Sequence, residues 1–249
     1  MDIFLRDPIE HLRTPTRSLL AFLVISHVFI LPIRSEVLRT FMAELHREYI
    51  TSGRREILDG KIYYDAEAKK VVVEVTSPIH QWMFLQKFET LIYYPQERKA
   101  FRMQARSDAV LPFFQLFIGC LKEDIGLGDL GYTFSRYEKK DDILISVWIP
   151  PIRFSKILGE AVLKLQANKL VEVQYKTPKG DLYSRGEFGQ HVLFGGYFFP
   201  LDVSLAQLAG QQKSLERVTY SNPVFNRPLP PSIREFKIPE DIPVKNVLW

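Results

Sequence analysis

The sequence predicts a mainly β fold with a few helices, built around one long antiparallel meander. Three observations predict it. Aromatic residues make up 13% of the chain, with 18 Phe and 11 Tyr, and aromatic and β-branched side chains suit a pleated, half-buried surface. Short runs that alternate polar and apolar residues recur along most of the length. Turn residues punctuate these runs at intervals of roughly ten residues, the pattern of hairpin-connected strands. Apolar (46%) and charged (25%) shares are those of an ordinary globular protein. A chain of 249 residues can bury a full core without help from a metal or a disulfide.

The N-terminus stands apart. Residues 18–33 read SLLAFLVISHVFILPI, an apolar run interrupted by His27 and Pro32 and preceded by Arg6, Arg13 and Arg17. The run is short for a membrane span and suits the core of a signal peptide, with Ile33 and Ser35 at −3 and −1 if cleavage precedes Glu36. Residues 1–35 are therefore expected to be a signal peptide or an N-terminal membrane anchor, and residues 36–249 a single exported domain. No cysteine follows the run to accept a lipid, and the single cysteine, Cys120, excludes an intramolecular disulfide.

Residues 36–50 read as an amphipathic helix. Leu38, Phe41, Met42, Leu45 and Tyr49 form one stripe at helical spacing, and Thr51-Ser52-Gly53 supplies a stop. Strands follow. Ile57-Leu58 and Ile62-Tyr63-Tyr64 flank Asp59-Gly60. Residues 70–76 alternate, with Val71, Val73 and Val75 on one face and Val72, Glu74 and Thr76 on the other, up to the Ser77-Pro78 turn. Residues 82–85 are apolar on both faces, which requires both faces to be covered. Further strands are expected at 90–94 and 98–104. Residues 110–121 then read as a second helix, with Pro112 in its first turn and Phe113, Phe114, Leu116, Phe117 and Ile118 along it. Strands resume at 132–137, 143–149, 160–166, 170–176 and 181–188. A last hairpin of 198–205 and 214–220 precedes a proline-rich tail. About ten strands are expected in all, in one domain.

The chain offers little for catalysis. Of His11, His27, His46, His80 and His191, none is spaced as a metal-ligating pair. Cys120 lies in an apolar stretch, where a cysteine is usually a small buried hydrophobe. Gly126, Gly128 and Gly131 resemble a phosphate loop only superficially, because no βαβ unit surrounds them. Asp124 with Asp129, and Asp141 with Asp142, are residues that turns use routinely. The net charge of +4 comes from interspersed acids and bases, without the basic, aromatic-laced run that tracks nucleic acid. The expectation is a non-enzymatic monomer with no metal, no cofactor and no nucleic-acid partner.

What the chain has in surplus is apolar bulk. Two readings are open: a thick, fully packed core, or an open-mouthed barrel whose apolar lining holds a lipid tail. Residues 60–100, GKIYYDAEAKKVVVEVTSPIHQWMFLQKFETLIYYPQERKA, resemble the outer-membrane lipoprotein carrier family, the LolA-like lipoprotein-sorting proteins. The resemblance rests on Gly60 opening a strand, on the Ser77-Pro78 turn and on Leu91-Ile92-Tyr93-Tyr94-Pro95. Further on it rests on Phe194-Gly195-Gly196-Tyr197-Phe198-Phe199-Pro200, Val218-Thr219-Tyr220-Ser221-Asn222 and Asn226-Arg227-Pro228-Leu229.

The resemblance implies a strongly curved antiparallel sheet, a half-open barrel plugged by helices on its concave face. It implies a periplasmic carrier or binding protein for the acyl chains of lipoproteins or lipids, with inner- or outer-membrane sorting components as partners. The alternative is a structural or interaction protein of the envelope with the same fold and a filled core. The expected cavity lining comprises Trp82, Phe84, Ile92, Tyr94, Phe113, Phe114, Phe117, Ile145, Val147 and Trp148. Trp82 and Phe84 share a face of their strand, as do Ile92 and Tyr94. Ile145 and Val147 share a face, and Trp148 takes the opposite one.

Overall fold

The computed structural model describes residues 36–86, 89–104, 117–122, 124–208 and 213–248. The first meander comprises β1 (Thr40–Thr51), β2 (Arg54–Asp65), β3 (Lys70–Ser77), β4 (Gln81–Gln86), β5 (Glu89–Tyr94) and β6 (Lys99–Gln104). The second comprises β7 (Thr133–Lys140), β8 (Ile143–Ile149), β9 (Ala161–Gln166), β10 (Lys169–Lys176), β11 (Leu182–Phe194), β12 (Tyr197–Gln207) and β13 (Ser214–Phe225). A final strand, β14 (Val244–Leu248), closes the tail. All fourteen lie in one curved, open sheet in the order β14-β6-β5-β4-β3-β2-β1-β13-β12-β11-β10-β9-β8-β7. The antiparallel pairing of β1 with β13 staples the two meanders together.

The helix expected over 36–50 is a strand. Phe41, Ala43 and Leu45 are buried at period two, and β1 pairs along its whole length with β2. Phe41 and Leu45 satisfy both periods, being four apart, and the alternation through Ala43 decides between them because β2 and β13 supply backbone partners on both sides. The number of strands, expected at about ten, is fourteen among the described residues. Two that the expectation missed are β1, read as a helix, and β14, which the proline-rich tail conceals. β14 also departs from a wholly antiparallel sheet, since it runs parallel to β6.

Asp59-Gly60 does not divide β2, which continues through it with a register shift against β3. A Cβ on Gly60 would lie 2.1 Å from the Glu74 carbonyl oxygen, so glycine is there for close backbone approach and not for a turn.

The two sheet faces have different covers. One face, the inner one, carries Phe41, Leu45, Ile62, Val71, Val73, Val75, Val173, Phe199, Val218 and Tyr220 in a single core. The described residues between β6 and β7, which include helical residues 117–120 (α1), pack Phe117, Cys120, Ile125, Leu127 and Tyr132 into that core. On the other face, Leu229, Ile233 of the single-turn helix α2 (Pro231–Arg234) and Phe236 cover Tyr63, Val72, Phe84 and Trp82. Ile242 covers Tyr93 and Ala100 nearby. β4 is thus buried on both sides, as its doubly apolar sequence requires.

Candidate lipid-binding site

The inner core is centred on aromatic rings. Phe117 is fully buried, and its ring centroid lies 5.4 Å from Phe41, 5.7 Å from Tyr220, 5.9 Å from Tyr64 and 6.2 Å from Phe199. Such tilted and edge-on ring pairs add to the area they bury. The Tyr197 hydroxyl donates to the Cys120 carbonyl at 2.7 Å and ties α1 to β12.

The glycine-rich stretch after α1 is a set of turns. The Asp124 carboxylate accepts the amide protons of Gly126 and Gly128, each at 2.9 Å, and Gly126 and Gly131 adopt positive φ. Asp129 pairs with Lys122. Asp141 sits at positive φ in the β7–β8 turn, and Asp142 accepts a bond from Gln166 at 2.5 Å.

The titratable groups are likewise engaged in structure. Burial pushes the Cys120 thiol up to about 12, so it is neither a ready nucleophile nor a ready metal ligand. His191 bonds the Leu170 carbonyl at 2.7 Å, and burial lowers its pKa. His46 bonds Asp59 at 2.6 Å, and His80 contacts Gln96 at 3.1 Å. No group of three metal-ligating side chains occurs among the described residues.

The expected lining residues are distributed over both faces. Met83 pairs with Ile92 and Trp82 with Tyr93 across β4–β5. Met83 belongs to the inner core, so Ile92 and Tyr94 face inwards with it. Trp82 and Phe84 face the opposite way and stack against Phe236 at 5.2 and 4.8 Å. On β8, Trp148 pairs with Ala161 of the inner core, whereas Val147 and Ile145 pair with Val162 and Lys164 on the other face. Phe117 lies at the inner centre. Phe113 and Phe114 lie outside the described residues.

A cavity of ≈ 140 Å³ opens at the margin of the aromatic cluster, between Leu38, Leu121, Phe194, Tyr197, Phe199 and Phe225. None of these six was among the expected lining residues. For Phe194, Tyr197 and Phe199 the signal was in the Phe194–Pro200 motif, where Gly195 adopts a φ of +56°. A Cβ there would meet the Glu36 carbonyl oxygen at 2.1 Å, so the glycine lets the hairpin press against the segment leading into β1. Asn226 fixes that segment. Its side-chain oxygen accepts the amide protons of Arg39 (2.7 Å) and Thr40 (3.3 Å), and its nitrogen donates to Glu36 (2.8 Å) and the Val37 carbonyl (2.9 Å).

The chain is similar in fold to several solved structures. An outer-membrane lipoprotein-sorting protein domain from Vibrio parahaemolyticus superposes with a TM-score of 0.55 at 14% identity, over 77% of this chain and 87% of that one. A LolA superfamily protein from Nitrosomonas europaea gives 0.53 at 14% identity, over 81% and 93%. The fold of this chain is similar to that of these two proteins. A DUF1329 family protein from Desulfovibrio piger superposes with a TM-score of 0.58 at 15% identity, over 81% and 92%. No family model and no curated protein matches the sequence. At these identities the likeness concerns architecture, and chemistry has to be argued from the site itself.

Proposed function

We propose that this chain is an envelope carrier or binding protein for acyl chains of lipoproteins or lipids, acting in the periplasm in outer-membrane lipoprotein sorting. In this reading residues 1–35 export or anchor it, and lipoprotein-sorting components of the inner or outer membrane are its partners. The observation that carries the reading is the apolar inner face. It is covered by a segment that is not part of the sheet and that leaves an apolar cavity at its margin. Burial of each acyl methylene there is worth about 0.8 kcal/mol.

The cavity itself is small. At ≈ 140 Å³ it is below the roughly 300–1,000 Å³ of ordinary ligand pockets and close to the 150 Å³ that accepts a benzene. It suits the end of an acyl chain. Residues 117–122 would have to shift from the sheet to admit more, and such a shift would also allow release.

A second reading, an envelope interaction protein with the same fold and a filled core, is favoured by the fully buried Phe117 and its four aromatic neighbours. Displacement of a fluorescent fatty acid, beside thermal melting, separates the two. The carrier reading expects wild type to bind. It expects Leu121→Trp to fill the cavity and weaken binding without lowering the melting temperature, whereas Phe117→Ala, in the core beside the cavity, should cost about 3–5 kcal/mol in either reading. If wild type binds no fatty acid, or if Leu121→Trp leaves binding unchanged, the core is simply filled.

A further inference from the structure

The loop between β8 and β9 reads Pro150-Pro151-Ile152-Arg153-Phe154-Ser155-Lys156-Ile157-Leu158. It holds two isoleucines in water: Ile152 is 93% exposed and Ile157 69%. A lone exposed isoleucine is ordinary. Here two flank the cations Arg153 and Lys156, and no acidic residue occurs from Ile143 to Gly159. Glu160, the next acid, is engaged by Arg136 and Lys176, each at 3.6 Å.

The loop is also rigid. It contains a 3₁₀ turn, Ile152–Phe154. The Phe154 amide donates to the Pro151 carbonyl at 2.8 Å, the Ile157 and Leu158 amides donate to the Phe154 carbonyl at 2.9 and 2.8 Å, and the Ser155 hydroxyl donates to the Ile152 carbonyl at 2.9 Å. The Arg153 guanidinium lies 4.7 Å over the Phe154 ring. At its end, the Gly159 amide donates to the Lys176 carbonyl at 2.9 Å. The exposed isoleucines are therefore held in place by a backbone whose own hydrogen bonds are made within the protein.

We propose that this loop docks on an anionic phospholipid surface. Ile152 and Ile157 enter the boundary between headgroups and acyl chains, and Arg153 and Lys156 lie at the level of the phosphates. Apolar side chains interleaved with cations are what such an interface binds, by burial of apolar area and by attraction to negative lipid. The proposal is independent of acyl-chain binding in the core, and either can fail without the other.

The test places an environment-sensitive nitrobenzoxadiazole dye on Ser155→Cys in the full chain. The native Cys120 is fully buried with a thiol pKa pushed up to about 12, so the label goes to position 155. With vesicles of phosphatidylcholine containing about one-third phosphatidylglycerol, the dye emission should shift to the blue and brighten. A dye on Ser221→Cys, exposed on β13, should not respond, even if the apolar segment 18–33 tethers the protein. Each cation is worth about fivefold in partitioning at such a surface, so Arg153→Gln/Lys156→Gln should weaken the response about 30-fold. Ile152→Asp/Ile157→Asp should abolish it while leaving thermal melting unchanged, because both side chains already stand in water. The proposal is overturned if position 155 stays silent on these vesicles, if its signal survives both double variants, or if position 221 responds equally.

Discussion

Single residues do most of their work here as fasteners. Asn226 bonds four groups of the segment leading into β1 and sits at a φ of 52° that asparagine tolerates better than most residues. Asn226→Ala removes all four bonds and should lower stability by about 1–3 kcal/mol in urea unfolding. Glu172 is a second fastener. Burial raises its carboxyl pKa, and Lys164 at 2.7 Å, Gln174 at 2.5 Å and Arg185 at 2.7 Å more than offset that, so the carboxyl titrates below its ordinary value. A depressed carboxyl contributes stability that is present above its unfolded pKa of about 4.3 and lost as pH falls through the folded value. Melting temperature should therefore fall below about pH 4.5, and Glu172→Gln should start lower at neutral pH and lose less on acidification.

At the scale of elements, β1 and the C-terminal tail decide the architecture. β1 is paired on both edges, with β2 and with β13, and its inner face is buried. Its central amides should be among the slowest to exchange with deuterium, and Ala43→Pro, which places a proline inside a strand flanked on both edges, should cost about 3 kcal/mol or more. The tail works by covering a face the meander alone would leave wet. Phe236 stacks on Trp82 and Phe84 and also meets Tyr93. Phe236→Ala should cost about 2–4 kcal/mol by chemical denaturation, and a chain ending at residue 228 should bind the dye ANS through the uncovered face. Rapid amide exchange in β1, or no ANS signal from the shortened chain, would contradict these assignments.

For the whole molecule, the consequential contacts are those between residues distant in sequence. Arg47 of β1 pairs with Glu216 of β13 across 169 residues at 2.5 Å, and that junction unites two local meanders into one sheet over one core. Sheets with such non-local pairings fold slowly. Refolding should take milliseconds to seconds or longer, and Leu45→Ala should mainly speed unfolding, because the β1–β13 junction forms late. A large slowing of refolding by Leu45→Ala in stopped-flow fluorescence would place that junction in the nucleus instead.

Most individual strands were determined by the sequence. Alternation and turn residues located β3 to β13, and the doubly apolar β4 required covers on both faces. Those are local properties, fixed by the period-two geometry of an extended chain. Three things were decided only by tertiary structure. Phe41 and Leu45 fit both helix and strand, and the partners on either side of β1 made it a strand. Alternation says which residues share a face but not which face is inward. Trp82 and Phe84 therefore went to the outer cover while Ile92, Phe117 and Trp148 went to the inner core, and the cavity opened elsewhere, beside Leu121 and Phe225. β14 lies among prolines with no strand pattern of its own, and it became a strand because β6 offered an unpaired edge. Each of these depends on a partner distant in sequence, and no local pattern encodes the identity of such a partner.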